Sequence, residues 1–184
     1  MGTDCVKRND KLMATFTKSP MFIERIKVLK KFVNKSPSID LGCGGFMPSI
    51  LKTTHACDDT NLAKVCLDKR GWKGKFDKVN IGKKLPYKDK QFKIAVCSEV
   101  IEHLKNEKEI ANLFNEIERI SNEWIVTTPS AFFDDPDHNF FFGPNELLSV
   151  IPLDINKFII IRKGVYYYIS NSIEKLIKLL NVKI

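Results

Sequence analysis

Short apolar runs of strand length alternate along this chain with stretches whose apolar residues recur every three or four positions. From Pro20, Phe22, Ile23, Ile26, Leu29, Lys30 and Val33 fall on one side of a helix, and Glu24, Arg25, Lys27 and Lys31 fill the other. Ser19 is the expected cap and Pro20 the first-turn residue. Ile39 and Leu41 end a buried strand, and Thr53 to Cys57 is a second apolar stretch. Asp59-Thr60-Asn61 caps a helix through Leu62, Val65, Cys66 and Leu67 that stops near Gly71. Lys75–Ile81 is predicted as a third strand and Ile94–Cys97 as a buried central one. Glu107–Ser121 is amphipathic, with Ile110, Leu113, Phe114, Ile117 and Ile120 inward and Glu109, Asn112, Glu116, Glu118 and Arg119 outward. Trp124–Ser130 is a fifth strand and Asn145–Ile151 a short helix. Phe158–Ile161 and Val165–Ile169 are strands about the turn Arg162-Lys163-Gly164. Ser172 caps a last helix bearing Ile173, Leu176, Ile177, Leu179 and Leu180. Residues 1–18 show no period and are expected to be a flexible segment before one domain at 19–184. Strands alternating with helices imply an α/β fold with a largely parallel sheet.

The first strand runs into Asp40-Leu41-Gly42-Cys43-Gly44-Gly45-Phe46, followed by a segment too short for a full crossover helix, in which Pro48 suits only the first turn. Glycines there let backbone amides approach a ligand, and a helix start would add its own N–H groups. The second apolar stretch ends in Asp58-Asp59. In an α/β sheet, strand ends on one side share a crevice, so these carboxylates are placed to meet a ligand over the glycines. A carboxylate suits a ribose diol, which points to a nucleoside-containing ligand. The plain alternative is an ordinary tight turn.

Asp40-Leu41-Gly42-Cys43-Gly44 with Cys57-Asp58-Asp59-Thr60 resembles the cofactor-binding half of class I S-adenosylmethionine-dependent methyltransferases. The dinucleotide fingerprint fits less well, since Met47 stands where it wants glycine. Leu85-Pro86-Tyr87 through Phe92 to Glu99-Val100-Ile101-Glu102-His103-Leu104 resembles the matching section of the small-molecule, type 11-like members. The strand closing in Pro129, and Asp137-His138 followed by Gly143-Pro144-Asn145-Glu146-Leu147, resemble the segments that lead to and cover the acceptor pocket. Departures are Phe46 for the usual third glycine, the shortened first helix and Lys93 for an aspartate.

The resemblance implies a Rossmann-like three-layer sandwich with a mostly parallel seven-stranded sheet and an antiparallel last strand. It implies methyl transfer from S-adenosylmethionine to an O, N or C nucleophile of a small-molecule acceptor. Asp40 would orient the methionine end, directly or through water, with backbone access from Gly42, Cys43, Gly44 and Gly45. Phe46 would pack against that end or partly fill the pocket. Asp58 would bind the ribose, with Asp59 as neighbour or second choice, while Asn80 and Ile81 border the adenine. Cys97, Ser98 and Glu99 would floor the site near sulfur. Glu99, His103 and His138 are the candidates for acid–base work toward the acceptor. Each of the three has a bracing role as its alternative. The sequence Cys97-Ser98-Glu99-Val100 in place of Asn-Pro-Pro-Tyr argues against the common amino-methylating enzymes of nucleic-acid bases. The alternative function is a non-catalytic scaffold or RNA-binding protein that retains the fold.

Composition narrows this picture modestly. In 184 residues, 43% are hydrophobic and 28% charged, a globular balance for a single domain. The formal net charge of +8 raises nucleic acid as a second, less favoured partner beside the small-molecule acceptor. The five cysteines form no Cys-x-x-Cys pair, so neither a disulfide framework nor a zinc site is expected. His55, His103 and His138 lie too far apart in sequence to argue for a metal. No run has the length of a membrane span, and the first residues lack a signal-peptide core. Val6 breaks the myristoylation pattern that Gly2 opens. A cytoplasmic monomer or homodimer is the expectation.

Overall fold

Seven strands form one sheet in the order β3-β2-β1-β4-β5-β7-β6. They are β1 (Ser38–Leu41), β2 (His55–Asp58), β3 (Lys75–Lys78), β4 (Phe92–Ser98), β5 (Ser121–Pro129), β6 (Ile159–Lys163) and β7 (Tyr166–Ser170). The structure is a computed structural model that describes residues 18–130 and 135–183; the terminal segment expected over 1–18 lies outside these apart from Lys18. β1 to β5 pair in parallel, and β7 runs antiparallel to both β5 and β6. Only Gly164 and Val165 separate β6 from β7, a hairpin too short for a crossover, and that forces the antiparallel pair. The helices are α1 (Pro20–Phe32), α2 (Met47–Leu51), α3 (Asn61–Lys69), α4 (Glu107–Ile120), α5 (Pro144–Val150) and α6 (Ile173–Leu180), with a 3₁₀ turn at Ile101–His103.

Alternation along the strands divides the core between the two faces of the sheet. Ala95 and Cys97 of β4 join Ile39, Leu41 and Trp124 under α4 and α5. Ile94 and Val96 join Ile125 and Tyr168 under α1, α2 and α6. Cys43, Ala56, Ala63 and Leu67 form a smaller cluster that seats α3. The three layers and the seven-stranded sheet are therefore as expected.

Several details differ from the pattern-based expectation. The buried stripe of α1 is Phe22, Arg25, Ile26, Val28, Leu29 and Phe32, so Arg25 faces in and Ile23 is exposed. A partner for the guanidinium waits on the sheet side, as shown below. β3 ends at Lys78 rather than Ile81, because Asn80 Oδ1 accepts from Gly82 N (2.9 Å) and closes a turn. β5 begins at Ser121, directly after α4 and without the expected turn; Ser121 Oγ donates back to Ile117 O (2.8 Å). Glu116 of α4 is buried rather than outward. It accepts from Leu85 N (2.6 Å) and from Arg119 Nε and Nη2, while Arg119 Nη1 and Nη2 reach the Tyr87 and Leu85 carbonyls. This network ties the connection before β4 to α4.

The loop after β1 is pinned to the end of β2. Gly42 N and Cys43 N both donate to Cys57 O (3.0 and 3.2 Å), and Gly44 N donates to Asp58 Oδ2 (3.0 Å). Gly44 and Gly45 both have positive φ (58° and 80°). A Cβ on Gly45 would lie 2.7 Å from Cys66 Cβ and 3.1 Å from the Ala63 backbone, whereas one on Gly44 would meet only the Phe46 ring at 3.3 Å.

Gly44→Ala is therefore expected to cost about 1 kcal/mol, the backbone strain alone. Gly45→Ala adds a clash with α3 and is expected to cost about 2–4 kcal/mol, a difference that thermal melts resolve. Burial alone would raise the Glu116 carboxyl, but the hydrogen bonds from Arg119 and Leu85 N–H hold it below the usual carboxylate range. A depressed folded pKa stabilises fully above the unfolded value of about 4.3, and the gain is lost as pH falls through the folded value. In urea titrations Glu116→Gln is expected to cost about 1–2 kcal/mol at pH 7, with the deficit closing below about pH 4.

Candidate functional site

A cavity of about 350 Å³ opens beyond the C-terminal ends of β1 and β4. Its backbone wall is Gly42, Cys43 and Gly44. Phe46, Met47, Phe22 and Tyr166 supply an apolar wall, Ser98 and Glu99 the strand end, and Glu102, His103, Asp135 and His138 the far side. The sheet order reverses between β1 and β4, the position where open α/β sheets bind ligands. The volume lies at the lower end of the roughly 300–1,000 Å³ of small-molecule sites.

Asp40, at the centre of β1, is buried, and its Oδ2 has no hydrogen-bond partner among the described residues. Burial, then the neighbouring Asp58, pushes its carboxyl well above the usual range. Asp58 has both oxygens engaged: Oδ2 accepts from Gly44 N, and Oδ1 from Thr60 N (3.2 Å). Burial nevertheless leaves its pKa raised against those two hydrogen bonds.

Glu99 takes a left-handed backbone (φ 56°), which turns the chain out of β4 while its N–H still donates to Thr127 O (2.9 Å). Its Oε2 lies 2.7 Å from Arg25 Nη1, and its Oε1 accepts from Thr127 Oγ1 (3.1 Å). Thr127 Oγ1 is in turn 2.9 Å from Ser98 Oγ. The Arg25 guanidinium sits 4.6 Å from the Tyr166 ring centroid and 5.2 Å from that of Phe22. Burial pushes the Glu99 carboxyl up, opposed chiefly by Arg25. An ion pair this enclosed persists because each charge has a specific partner.

The far side is built by main-chain hydrogen bonds between the 3₁₀ turn and the segment after residue 134. Asn139 N and Phe140 N both donate to Glu102 O (2.8 and 3.1 Å), and Asn139 Nδ2 donates to His103 O (3.1 Å). His103 Nδ1 lies 2.8 Å from Asp137 O. A carbonyl only accepts, so Nδ1 carries the proton, and in the neutral ring the lone pair is on Nε2. The His103 and His138 rings meet edge to face with centroids 4.7 Å apart. Burial, then the His103 ring, lowers the pKa of His138.

Of the residues expected at the site, Gly42, Cys43, Gly44, Phe46, Ser98, Glu99, His103 and His138 line this cavity. Asp40 and Asp58 are buried and do not line it, and others stand elsewhere. Gly45 is packed on α3, and the Cys97 side chain is fully buried in the core under α4. Asp59 and Asn80 are exposed, and Asn80 has its side-chain oxygen in its own turn. Ile81 is buried in the same core as Val100. Phe132 and Phe133 of the predicted acceptor segment lie outside the described residues. Two of the three histidines, too distant in sequence to suggest a metal, are neighbours here, His103 and His138, while His55 packs against Phe92. Sequence reasoning missed Arg25, Glu102, Asp135 and Tyr166 as cavity residues. The signal for Arg25 was its place three residues after Phe22, on the apolar stripe itself.

Residues 39–123 match the methyltransferase domain family. No curated protein matches the chain. Among solved structures, a possible histamine N-methyltransferase from Thermotoga maritima is similar at a TM-score of 0.68 and 14% identity, covering 90% of this chain and 94% of its own. An S-adenosylmethionine-dependent methyltransferase from Aquifex aeolicus is similar at 0.58 and 17%, covering 85% and 96%. The magnesium protoporphyrin IX methyltransferase of Synechocystis PCC 6803, solved with S-adenosylmethionine bound, is similar at 0.55 and 14%, covering 82% and 80%. Sheet order, the glycine loop at the β1–β4 reversal and the matched segment agree: the chain has the class I S-adenosylmethionine-dependent methyltransferase fold, and its residues 39–123 resemble the methyltransferase domain family.

Proposed function

We propose that the protein transfers the methyl group of S-adenosylmethionine to a nucleophilic O, N or C atom of a small-molecule acceptor bound in this cavity. The observation that carries the reading is the cavity itself, which joins the glycine loop to a polar far side across an apolar wall. When bound, S-adenosylmethionine supplies a methyl carried on a sulfonium, so the protein's part is mainly alignment.

The residues fit such a cofactor. Asp40 holds a buried carboxyl oxygen without a protein partner, which suits the ammonium of an amino-acid end, directly or through water. Gly44 presents backbone to the cavity where a side chain would fill it. Asp58 accepts one amide hydrogen bond on each oxygen and keeps lone pairs for a ribose diol. Ile81, whose side chain approaches Gly42, would offer an apolar edge for the base, with Asp59 and Asn80 as its expected neighbours. Phe46 and Met47 exclude water from the apolar wall. Glu99 is held by Arg25 and Thr127, which keeps its carboxylate from swinging into the cavity. His103 and His138 present the acceptor side with imidazole nitrogen lone pairs.

Calorimetric titration with S-adenosylhomocysteine is the direct test. The wild-type protein is expected to bind one equivalent. Asp58→Ala is expected to weaken binding at least tenfold, about 1.4 kcal/mol or more. Asp40→Asn keeps size and fold but removes the carboxyl; it is expected to lose at least tenfold in affinity with no fall in Tm. Absence of binding by folded wild-type protein, in calorimetry and in thermal shift, would defeat the reading.

A further inference from the structure

We propose that Glu102, His103 and His138 form a binding site for a divalent transition-metal cation on the acceptor side of the cavity. One ligand atom from each lies within 4.8 Å of the other two. A tetrahedral set with bonds of about 2.1 Å places its ligand atoms about 3.5 Å apart, so an ordinary side-chain adjustment closes the set.

Geometry beyond proximity points the same way. Glu102 is 1% exposed, lines the cavity, and uses Oε2 to accept from Thr128 Oγ1 (3.0 Å). Its Oε1 is buried and has no hydrogen-bond partner among the described residues. A carboxylate oxygen left unpaired in such a place is costly unless a ligand completes it. His103 donates its Nδ1–H to a backbone carbonyl, which leaves Nε2 as the nitrogen for a metal; that is how ligating histidines are ordinarily oriented. His138 is brought to the same place by the hydrogen bonds of Asn139 N and Phe140 N to Glu102 O. The main chain that carries one ligand is thus bound to the main chain that carries another. Asp135 Oδ2 stands 3.9 Å from His138 Nε2, too far for a hydrogen bond and near enough to bear on the same ring.

Two imidazoles and one carboxylate make a borderline donor set. It favours first-row transition cations over magnesium or calcium, which take all-oxygen shells. Three protein ligands leave further coordination positions toward the cavity for water or an oxygen of the acceptor. Glu99 is already paired with Arg25 and lies beside the site rather than in it. Among the described residues the cysteines are buried and none is in the ligand set, which separates this site from any thiolate site.

The test uses the full chain, stripped with chelator and titrated with Co²⁺, Zn²⁺, Mn²⁺ and Mg²⁺ by absorption and calorimetry. Expected are one equivalent of Co²⁺ with weak visible bands and no thiolate charge-transfer band, and Zn²⁺ or Mn²⁺ binding at least tenfold tighter than Mg²⁺. His138→Ala and His103→Ala, whose rings leave the backbone hydrogen bonds to Glu102 intact, are expected to lose at least tenfold in Co²⁺ affinity. Both are expected to keep the wild-type affinity for S-adenosylhomocysteine, and His138→Ala the wild-type melt, whereas His103→Ala also removes the ring hydrogen bond to Asp137 O and is expected to melt slightly lower. That last readout separates failure of this site from failure of the methyl-donor site. No binding by the folded wild-type protein, a thiolate band, or unchanged affinity in His138→Ala would each overturn the proposal.

Discussion

The pinning of the β1–α2 loop to the end of β2 is the constraint on which the cavity depends. Two successive amides share the Cys57 carbonyl, and a third is held by the Asp58 carboxylate. To make these bonds the chain must fold back sharply and pass against α3, and this allows no side chain at Gly45. The short α2, with Pro48 in its first turn, follows from the same compression. Its brevity does not uncover the sheet, because α1 and α6 lie together over the same face. An acidic strand end that reads as a ligand contact is thus also a structural brace. The two roles are compatible, since each carboxylate oxygen has a second lone pair.

The second device is the Arg25–Glu99 pair, which joins α1 to the end of β4. Buried charges are expensive, and removing either member would strand the other. Their cost is offset by the Tyr166 face under the guanidinium and the Thr127 hydroxyl beside the carboxylate. The pair therefore orients α1 over the cavity through specific contacts, where an all-apolar stripe would allow it to slide. Glu99 and Glu102 lie three residues apart, yet only Glu99 has a cation, and burial pushes the Glu102 carboxyl upward together with the nearby Glu99 charge. The difference in partners is what divides the cavity into a braced side and an unsatisfied one.

On the far side of the cavity, order comes from main-chain hydrogen bonds rather than from a large apolar contact. Glu102 O accepts two N–H groups from the His138 segment, and His103 returns a hydrogen bond through its ring. Such an arrangement tolerates changes in the surrounding side chains while keeping the two imidazoles together. It gives a small domain a chemically specific corner built on elements only a few residues long.

Periodicity and turn chemistry alone determined the order of strands and helices, and the glycine loop with its flanking Asp40 and Asp58 was legible because those signals are local. The antiparallel β7 was legible for the same reason, since the three-residue turn read at Arg162-Lys163-Gly164, like the two-residue one found, permits only a hairpin. What the sequence could not state was which faces meet. Arg25 and Glu116 looked solvent-facing on helical wheels, yet both are buried, because the partners that make burial tolerable, Glu99 and the Leu85 amide, come from other elements. Asn80 and Cys97 stood at strand ends where a ligand was expected, but a local turn took one side chain and the opposite face of the sheet took the other. His103 and His138 are separated by the whole of α4 and β5, and only the parallel crossover brings them to one corner. Local sequence determined the elements; burial and pairing, which depend on contacts between distant segments, decided the site.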